Sequence, residues 1–438
     1  MGFFSRIRNA GRGSTRPRRE GERVAAQGAA GQGTGGHGLF GRGVTRRSFA
    51  LGSAAAIGAG MAVISLSSCS SGEVKETTGD PQVVDDSQVV AVLDGDYEAA
   101  DCPYTASQTF TLPLGTLLFH TGGTWAAALL TPESSQHVNT LGALSLSSGN
   151  LSTVLDAPTQ GQTWQFYDVR CTDSVYAWVE IDYATRDWVL VGQAFSGGDL
   201  AGEPVQLDSG SIDWEPPRFT TWNTSVIWQK MPLATGNASS EDSHCYQWSV
   251  GETEGTELMV SHGRFATAPR VADGILTIAP RVKEDEGTYY GLTALDLTDG
   301  NNTKRDQLVL PSGVAPFEAV YMNEQFAFSI EASYDGRGSL GNMGTFIGRE
   351  GGPYVYVRRE PLACVAGKGS RYLVKAQTSH FVVDIEAQTY ATLGAPDRSV
   401  DYGDWPASEG IVDRFLSFAT IRNAQGIPES VTARVFDL

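Results

Sequence analysis

Two stretches of this chain place an aspartate and a tryptophan against a proline. One is Asp213-Trp214-Glu215-Pro216; the other is Asp404-Trp405-Pro406, with Tyr402 just ahead of it. A flat aromatic face beside a carboxylate suits the stacking of a sugar or peptide ring while the acid takes its polar edge. Asp213, Trp214, Glu215, Tyr402, Asp404 and Trp405 are therefore the candidate ligand-binding residues. A plainer role competes and is favoured: the indole packs between layers and the aspartate accepts backbone N–H groups in a turn.

Other chemistry is sparse. The pattern GxSxG that marks a strained nucleophile turn does not occur. None of His120, His137, His244, His262 and His380 belongs to an HxH or HExxH pair. His244 follows Glu241 and Asp242, which reads first as a solvated loop and only second as an acid–base or metal site. No catalytic residue and no metal ligand is assigned. Asp94, Asp96, Glu98 and Asp101 approach the oxygen spacing of a calcium loop, but the sixth-position glycine and the twelfth-position acid are missing. Calcium is thus a weak expectation, and no other cofactor is expected. Gly336-Arg337-Gly338-Ser339-Leu340-Gly341 matches GxGxxG, yet no helical pattern follows it, so it reads as a flexible loop. The run Glu284-Asp285-Glu286 reads as a solvated hairpin tip.

The elements that would position these residues are strands. Short β-branched and aromatic runs are separated by Gly, Pro, Asp, Asn and Ser, with little helical periodicity. A tight turn followed by a strong strand recurs seven times. The second residue after the turn is Trp125, Tyr176, Ile227, Leu276, Phe326, Tyr372 and Phe415, at spacings of 51, 51, 49, 50, 46 and 43. Each unit carries a second long strand after the first, as at 188–195, 245–250, 290–297, 345–349, 380–385 and 431–436. Four strands in some 40–50 residues resembles a β-propeller blade. The resemblance covers residues 105–438 and rests on the repeat alone, because no Trp-Asp ending or sialidase-type Asp box accompanies it. It implies an all-β fold of seven four-stranded blades, with six or eight as alternatives. The last unit runs out of chain before its fourth strand, so residues 108–112 (QTFTL) are expected to supply it and close the ring. The longest loops between second and third strands are 232–243, 281–288 and 332–344, on the face shared with the connections between blades.

The first 68 residues have a different character. They hold ten Arg, no Lys and two Glu, so they carry +8, while the remaining 370 residues carry 22 basic and 48 acidic side chains, or −26. So acidic a body is repelled by nucleic acid, which is excluded as a partner. Residues 1–43 are rich in Gly and Arg and read as a disordered leader. Arg46-Arg47-Ser48-Phe49, then an apolar run over 50–66, resembles a bacterial twin-arginine export signal. Leu66-Ser67-Ser68-Cys69 at its end resembles a lipobox. The resemblance implies lipidation of Cys69, cleavage before it, and a protein held by lipid on the outer face of the bacterial cytoplasmic membrane. An uncleaved signal anchor is the alternative. Residues 69–104 are then the lipidated cysteine and a polar tether. Cys102, Cys171, Cys245 and Cys364 remain, enough for two disulfides or four free thiols.

These readings combine into a lipid-anchored propeller acting as a non-catalytic binding or scaffold module for an extracellular protein or cell-envelope glycan. A carbohydrate-active enzyme using top-face carboxylates is the second reading, and a subunit of an extracytoplasmic redox complex the third.

Overall fold

The computed structural model describes residues 79–132, 139–283, 287–395 and 403–438. The export and lipidation residues Arg46, Arg47, Phe49, Leu66, Ser67, Ser68 and Cys69 lie outside these, as do Tyr402, His137 and residues 284–286.

The described residues form an all-β propeller of seven sheets, at 116–155, 164–210, 218–261, 270–309, 316–357, 366–394 and 405–437. We call them blades one to seven. In blades one, two, three, five and six the strands follow chain order; in blade four Ile275–Ile278 and Arg281–Lys283 both pair with Tyr289–Asp296, and every neighbouring pair within these blades is antiparallel. First strands touch first strands: Trp164–Cys171 meets Arg218–Trp222, which meets Arg270–Ala272, which meets Pro316–Met322. These strands therefore surround the axis of the ring.

The recurring large residue of each second strand holds the blades face to face. Tyr176, Ile227, Leu276, Phe326, Tyr372 and Phe415 are all fully buried. Trp125 is half-buried and meets Phe195 of the next blade edge to face at 5.9 Å. Burying side chains of this size contributes about 1.5–3 kcal/mol each. The hairpin turns between first and second strands fix the register. In blade four Ala272 pairs with Ile275 around Asp273-Gly274, and both turn residues have positive φ (49° and 77°). That is the two-residue turn whose twist matches a β-hairpin, and it needs a glycine or a short polar residue at each site.

The ring closes as expected. Gln108–Pro113 pairs antiparallel with Pro428–Asp437, from Gln108 opposite Val435 to Pro113 opposite Ser430. Blade seven thereby gains its outer strand from the beginning of the body, and its edge is covered.

The body starts earlier than residue 105. Residues 79–104, assigned above to the polar tether, run along the outer edges of three blades as a strap. Gln82 N–H donates to Val309 O of blade four at 2.9 Å. Val89–Ala91 pairs in parallel with Tyr354–Val357 of blade five, and Glu98–Ala99 with Thr389–Gly394 of blade six. Val84, Val92, Tyr97 and Tyr104 are buried in the cores of blades four to seven. The GxGxxG loop receives this strap: Ser339 N–H donates to Val84 O at 2.8 Å, and a Cβ on Gly338 would stand 2.7 Å from the same oxygen. Cys102, Cys171, Cys245 and Cys364 are all free thiols. Among the described residues no helix is long and apolar enough to cross a membrane.

Candidate functional site

The innermost strands bring charged side chains to the ring centre in a repeating phase. The pairs that close the first hairpin are Thr172/Val175, Trp222/Ser225, Ala272/Ile275 and Met322/Gln325, a period of 50 residues. Four residues before these positions stand Asp168, Arg218 and Glu318; two before them stand Arg170 and Arg270. Glu215 and Arg264 join from the connections that lead into blades three and four.

Glu409 comes from blade seven by an unusual path. After Trp405-Pro406 the chain leaves its own sheet, and Gly410–Ile411 pairs in parallel with Ala366–Lys368 of blade six. It also touches the innermost strands of blades four and five. Gly410 has φ +71°, and a Cβ there would lie 3.1 Å from the Ala272 Cβ. Only glycine suits so close a crossing. The crossing places Glu409 against Arg270, with Nε of Arg270 3.0 Å from a Glu409 oxygen. This is an ion contact too bent to be a hydrogen bond, because Nε has no hydrogen-bond partner.

Around this centre the charges pair. The Arg270 Nη2 donates to both oxygens of Glu318, at 3.2 and 3.0 Å. Burial works against the Arg270 charge, but Glu318 and Glu409 hold its guanidinium well above the usual range. Arg264 pairs with Glu215 at 2.5 Å and also donates to Pro232 O. Arg170 pairs with Asp168 and lies over the Phe119 ring at 4.1 Å. Burial raises the Asp168 and Glu318 carboxyls above the usual range in spite of their arginines. Burial also pushes the Cys364 thiol well up beside this group. Burial lowers the Arg218 pKa, and among the described residues its one hydrogen bond runs from Nη1 to Ala266 O at 3.1 Å. The site is thus four guanidiniums and four carboxylates on strands and loops of blades two to five and seven, a set able to meet a ligand carrying both signs of charge.

The residues picked from sequence fall in two separate places. Trp214 packs in the core between blades two and three, and Trp188 Nε1 donates to its carbonyl at 3.1 Å. Asp213 accepts the N–H of Asn237 at 3.4 Å, while Glu215 reaches the charged centre through Arg264. Trp405 packs in the core between blades seven and one, and Asp404 is buried against Arg434 at 2.6 Å. The structure therefore joins Asp213, Trp214 and Glu215 in one seam, and Asp404 and Trp405 in another. The acids of the calcium-like stretch are engaged elsewhere: Asp96 accepts Ala91 N–H at 2.7 Å and Glu98 is in the strap strand. Among the described residues no group of three His, Cys, Asp or Glu could hold a metal ion. His244 pairs with Glu257 at 2.6 Å and stacks on Tyr246. The signal that would have found the charged centre is the 50-residue phase of 168, 218 and 318.

No protein-family profile matches the chain, and no curated protein matches it. Solved structures resemble its fold at low identity. A puromycin hydrolase is 13% identical, covering 74% of this chain and 53% of its own length, with a TM-score of 0.46. The propeller domain of the trilobed protease from Pyrococcus furiosus is 8% identical, covering 74% of this chain and 94% of that one, with a TM-score of 0.48. An acylaminoacyl peptidase from Pyrococcus horikoshii is 10% identical over 59% of this chain and 43% of that one, with a TM-score of 0.37. This chain spans about half the length of the puromycin hydrolase it resembles. The similar structures are peptidases and a hydrolase by name, and the expectation of a non-catalytic binding or scaffold module for a protein or glycan is corrected on that finding.

Proposed function

We propose that this chain is the propeller of a peptide-hydrolysing system and that its charged centre receives the peptide. The observation that carries this reading is the convergence of Arg170, Arg218, Arg264 and Arg270 with Asp168, Glu215, Glu318 and Glu409 at the middle of one ring. A short peptide is a zwitterion, and a cluster of both signs can meet its ammonium and its carboxylate at once. A polyanion would need an excess of cations that the cluster lacks. Innermost strands make a rigid support, so little ordering is needed on binding. The test is incubation of the purified full chain with a mixture of unmodified three- to ten-residue peptides, read by mass spectrometry for cleavage and by calorimetry for binding. Saturable binding that Glu318→Gln weakens supports the reading. No binding and no cleavage of any peptide removes it.

Export and lipid attachment belong to the same proposal. Arg46, Arg47 and Phe49 before the apolar run, with Leu66, Ser67 and Ser68 before Cys69, support lipidation of Cys69 and residence on the outer face of the cytoplasmic membrane. Metabolic labelling with a fatty-acid analogue tests it: label should enter the wild type and be absent from Cys69→Ala.

A further inference from the structure

Three of the four central arginines have a carboxylate within ion-pair distance. Arg170 has Asp168, Arg264 has Glu215, and Arg270 has Glu318 and Glu409. Arg218 differs. It opens the innermost strand of blade three, and its only hydrogen bond among the described residues runs from Nη1 to Ala266 O at 3.1 Å. A guanidinium has five N–H donors, so four remain. None of the Arg218 nitrogens is among the buried polar atoms that lack a partner, so the unused donors face solvent. The side chain is only half-buried.

Its surroundings explain why the donors are unused. Glu215 and Glu318 act on Arg218 through space, but each is held by another arginine, Arg264 and Arg270. A cation placed to stabilise the fold would have taken one of them. Arg218 instead stands between two closed pairs, with one edge fixed by a carbonyl and the Nε/Nη2 edge open.

We infer that Arg218 is a receptor for a carboxylate, and, resting on the peptide-handling reading above, that the carboxylate is the free C-terminus of the peptide. The fork of a guanidinium matches the two oxygens of a carboxylate in a bidentate pair. A monoanion brings one negative charge, and Arg218 is the one central arginine with no carboxylate within ion-pair distance to meet it. A phosphate dianion would bring its second charge beside Glu215 and Glu318, which already hold Arg264 and Arg270.

The experiment titrates the full chain with tri-alanine, with tri-alanine carboxamide, and with inorganic phosphate, followed by calorimetry. The free acid should bind at least about ten-fold more tightly than the amide. Arg218→Gln should erase that preference, and Arg218→Lys should restore part of it, because it keeps the charge and loses the fork. Acid and amide binding equally to the wild type would overturn the receptor role while leaving the peptide reading standing. Phosphate binding more tightly than tri-alanine would overturn the choice of a carboxylate. Binding of neither peptide would overturn both. The acid–amide comparison needs only the wild type, so it decides the matter even if Arg218→Gln fails to fold.

Discussion

The two Asp-Trp stretches are nearly the same word in the sequence and become different chemistry in the fold. Around Trp214 the polar groups lie near water. Lys230 sits 5.4 Å from the Trp214 ring centre and pairs with Asp208 at 2.7 Å, with a quarter of its side chain exposed. Around Trp405 the same kinds of residue are sealed in. Lys375 lies 5.6 Å from the Trp405 ring centre and is 1% exposed, and Asp404 binds Arg434 and Ser417 with almost no access to water. Depth makes the difference. Blade three takes its Asp-Trp in a surface connection, whereas blade seven takes it as the start of its innermost strand, under a chain that then crosses to blade six. In the first case the indole packs against the core of blades two and three while the lysine over its face keeps its ammonium near water. In the second it belongs to a buried charge network, where each group depends on its partner.

The sharpest way to break this comparison is to remove each aspartate. Asp404→Ala should cost about 3–5 kcal/mol, because it strips the buried Arg434 of a carboxylate at 2.6 Å. Asp213→Ala should cost under about 1 kcal/mol, because it loses one long bond to Asn237 N–H at the surface. Urea unfolding of the two variants reads both numbers. Equal losses would mean that burial does not separate the two loops.

Acid should separate them next. His120 donates or accepts with Ser408 of blade seven at 2.8 Å, and burial lowers its pKa to about 4. His380 meets Phe415 of blade seven edge to face at 5.2 Å, and burial, then Lys375, lowers it well below its usual value. A histidine depressed in the fold contributes its full stability above the unfolded pKa near 6.5 and loses it as pH falls toward the folded value. From His120 alone the loss between about 6.5 and 4 is roughly 3 kcal/mol. Both histidines face blade seven, so hydrogen exchange at pH 5 should rise over 405–422 before it rises over 213–230. The reverse order would contradict the assignment, and His120→Gln should flatten the acid limb.

Alkali tests the lysine on the buried side. Burial lowers Lys375 to about 8, with Asp404 opposing the shift. Below that pH the fold carries the cost of a buried ammonium; between about 8 and 10.5 the unfolded chain binds more protons than the folded one, so stability rises with pH. Wild type should gain about 2–3 kcal/mol over that window relative to Lys375→Met. Parallel pH curves for the two proteins would show that Lys375 keeps its ordinary pKa in the fold.

Much of this architecture was readable in the sequence, and the reason is local. Tyr176, Ile227, Leu276, Phe326, Tyr372 and Phe415 repeat because every blade must fill the same gap against its neighbour. The closing strand expected at 108–112, and found at 108–113, followed from a last blade that lacked an edge. The strap was hidden because Val84, Val92, Tyr97 and Tyr104 are single apolar residues in a polar stretch, and their value comes from edges that only the assembled ring provides. The charged centre was hidden for a related reason. Each of Arg270, Glu318 and Glu409 is alone on its own segment and looks solvated until two blades and a crossing chain bring them together. The two Asp-Trp stretches show the converse failure: a short motif was legible, but its depth was not.

The smallest effect lies on the exposed side of the comparison. Lys230 spans the Trp188 and Trp214 rings at 5.9 and 5.4 Å while holding Asp208, so its head has several weak partners and none that is sealed from water. Partly exposed ion pairs of this kind are worth about 0.2–1 kcal/mol, and salt screens them. Lys230→Met keeps the aliphatic stem against the indoles and should cost no more than about 1 kcal/mol in low salt, falling further in 1 M salt. Asp208 is still satisfied by Trp228 Nε1 at 2.9 Å, so the carboxylate is not abandoned when the ammonium goes. A loss as large as that of Asp404→Ala, unchanged by salt, would place Lys230 in a buried network after all and erase the distinction between the two seams.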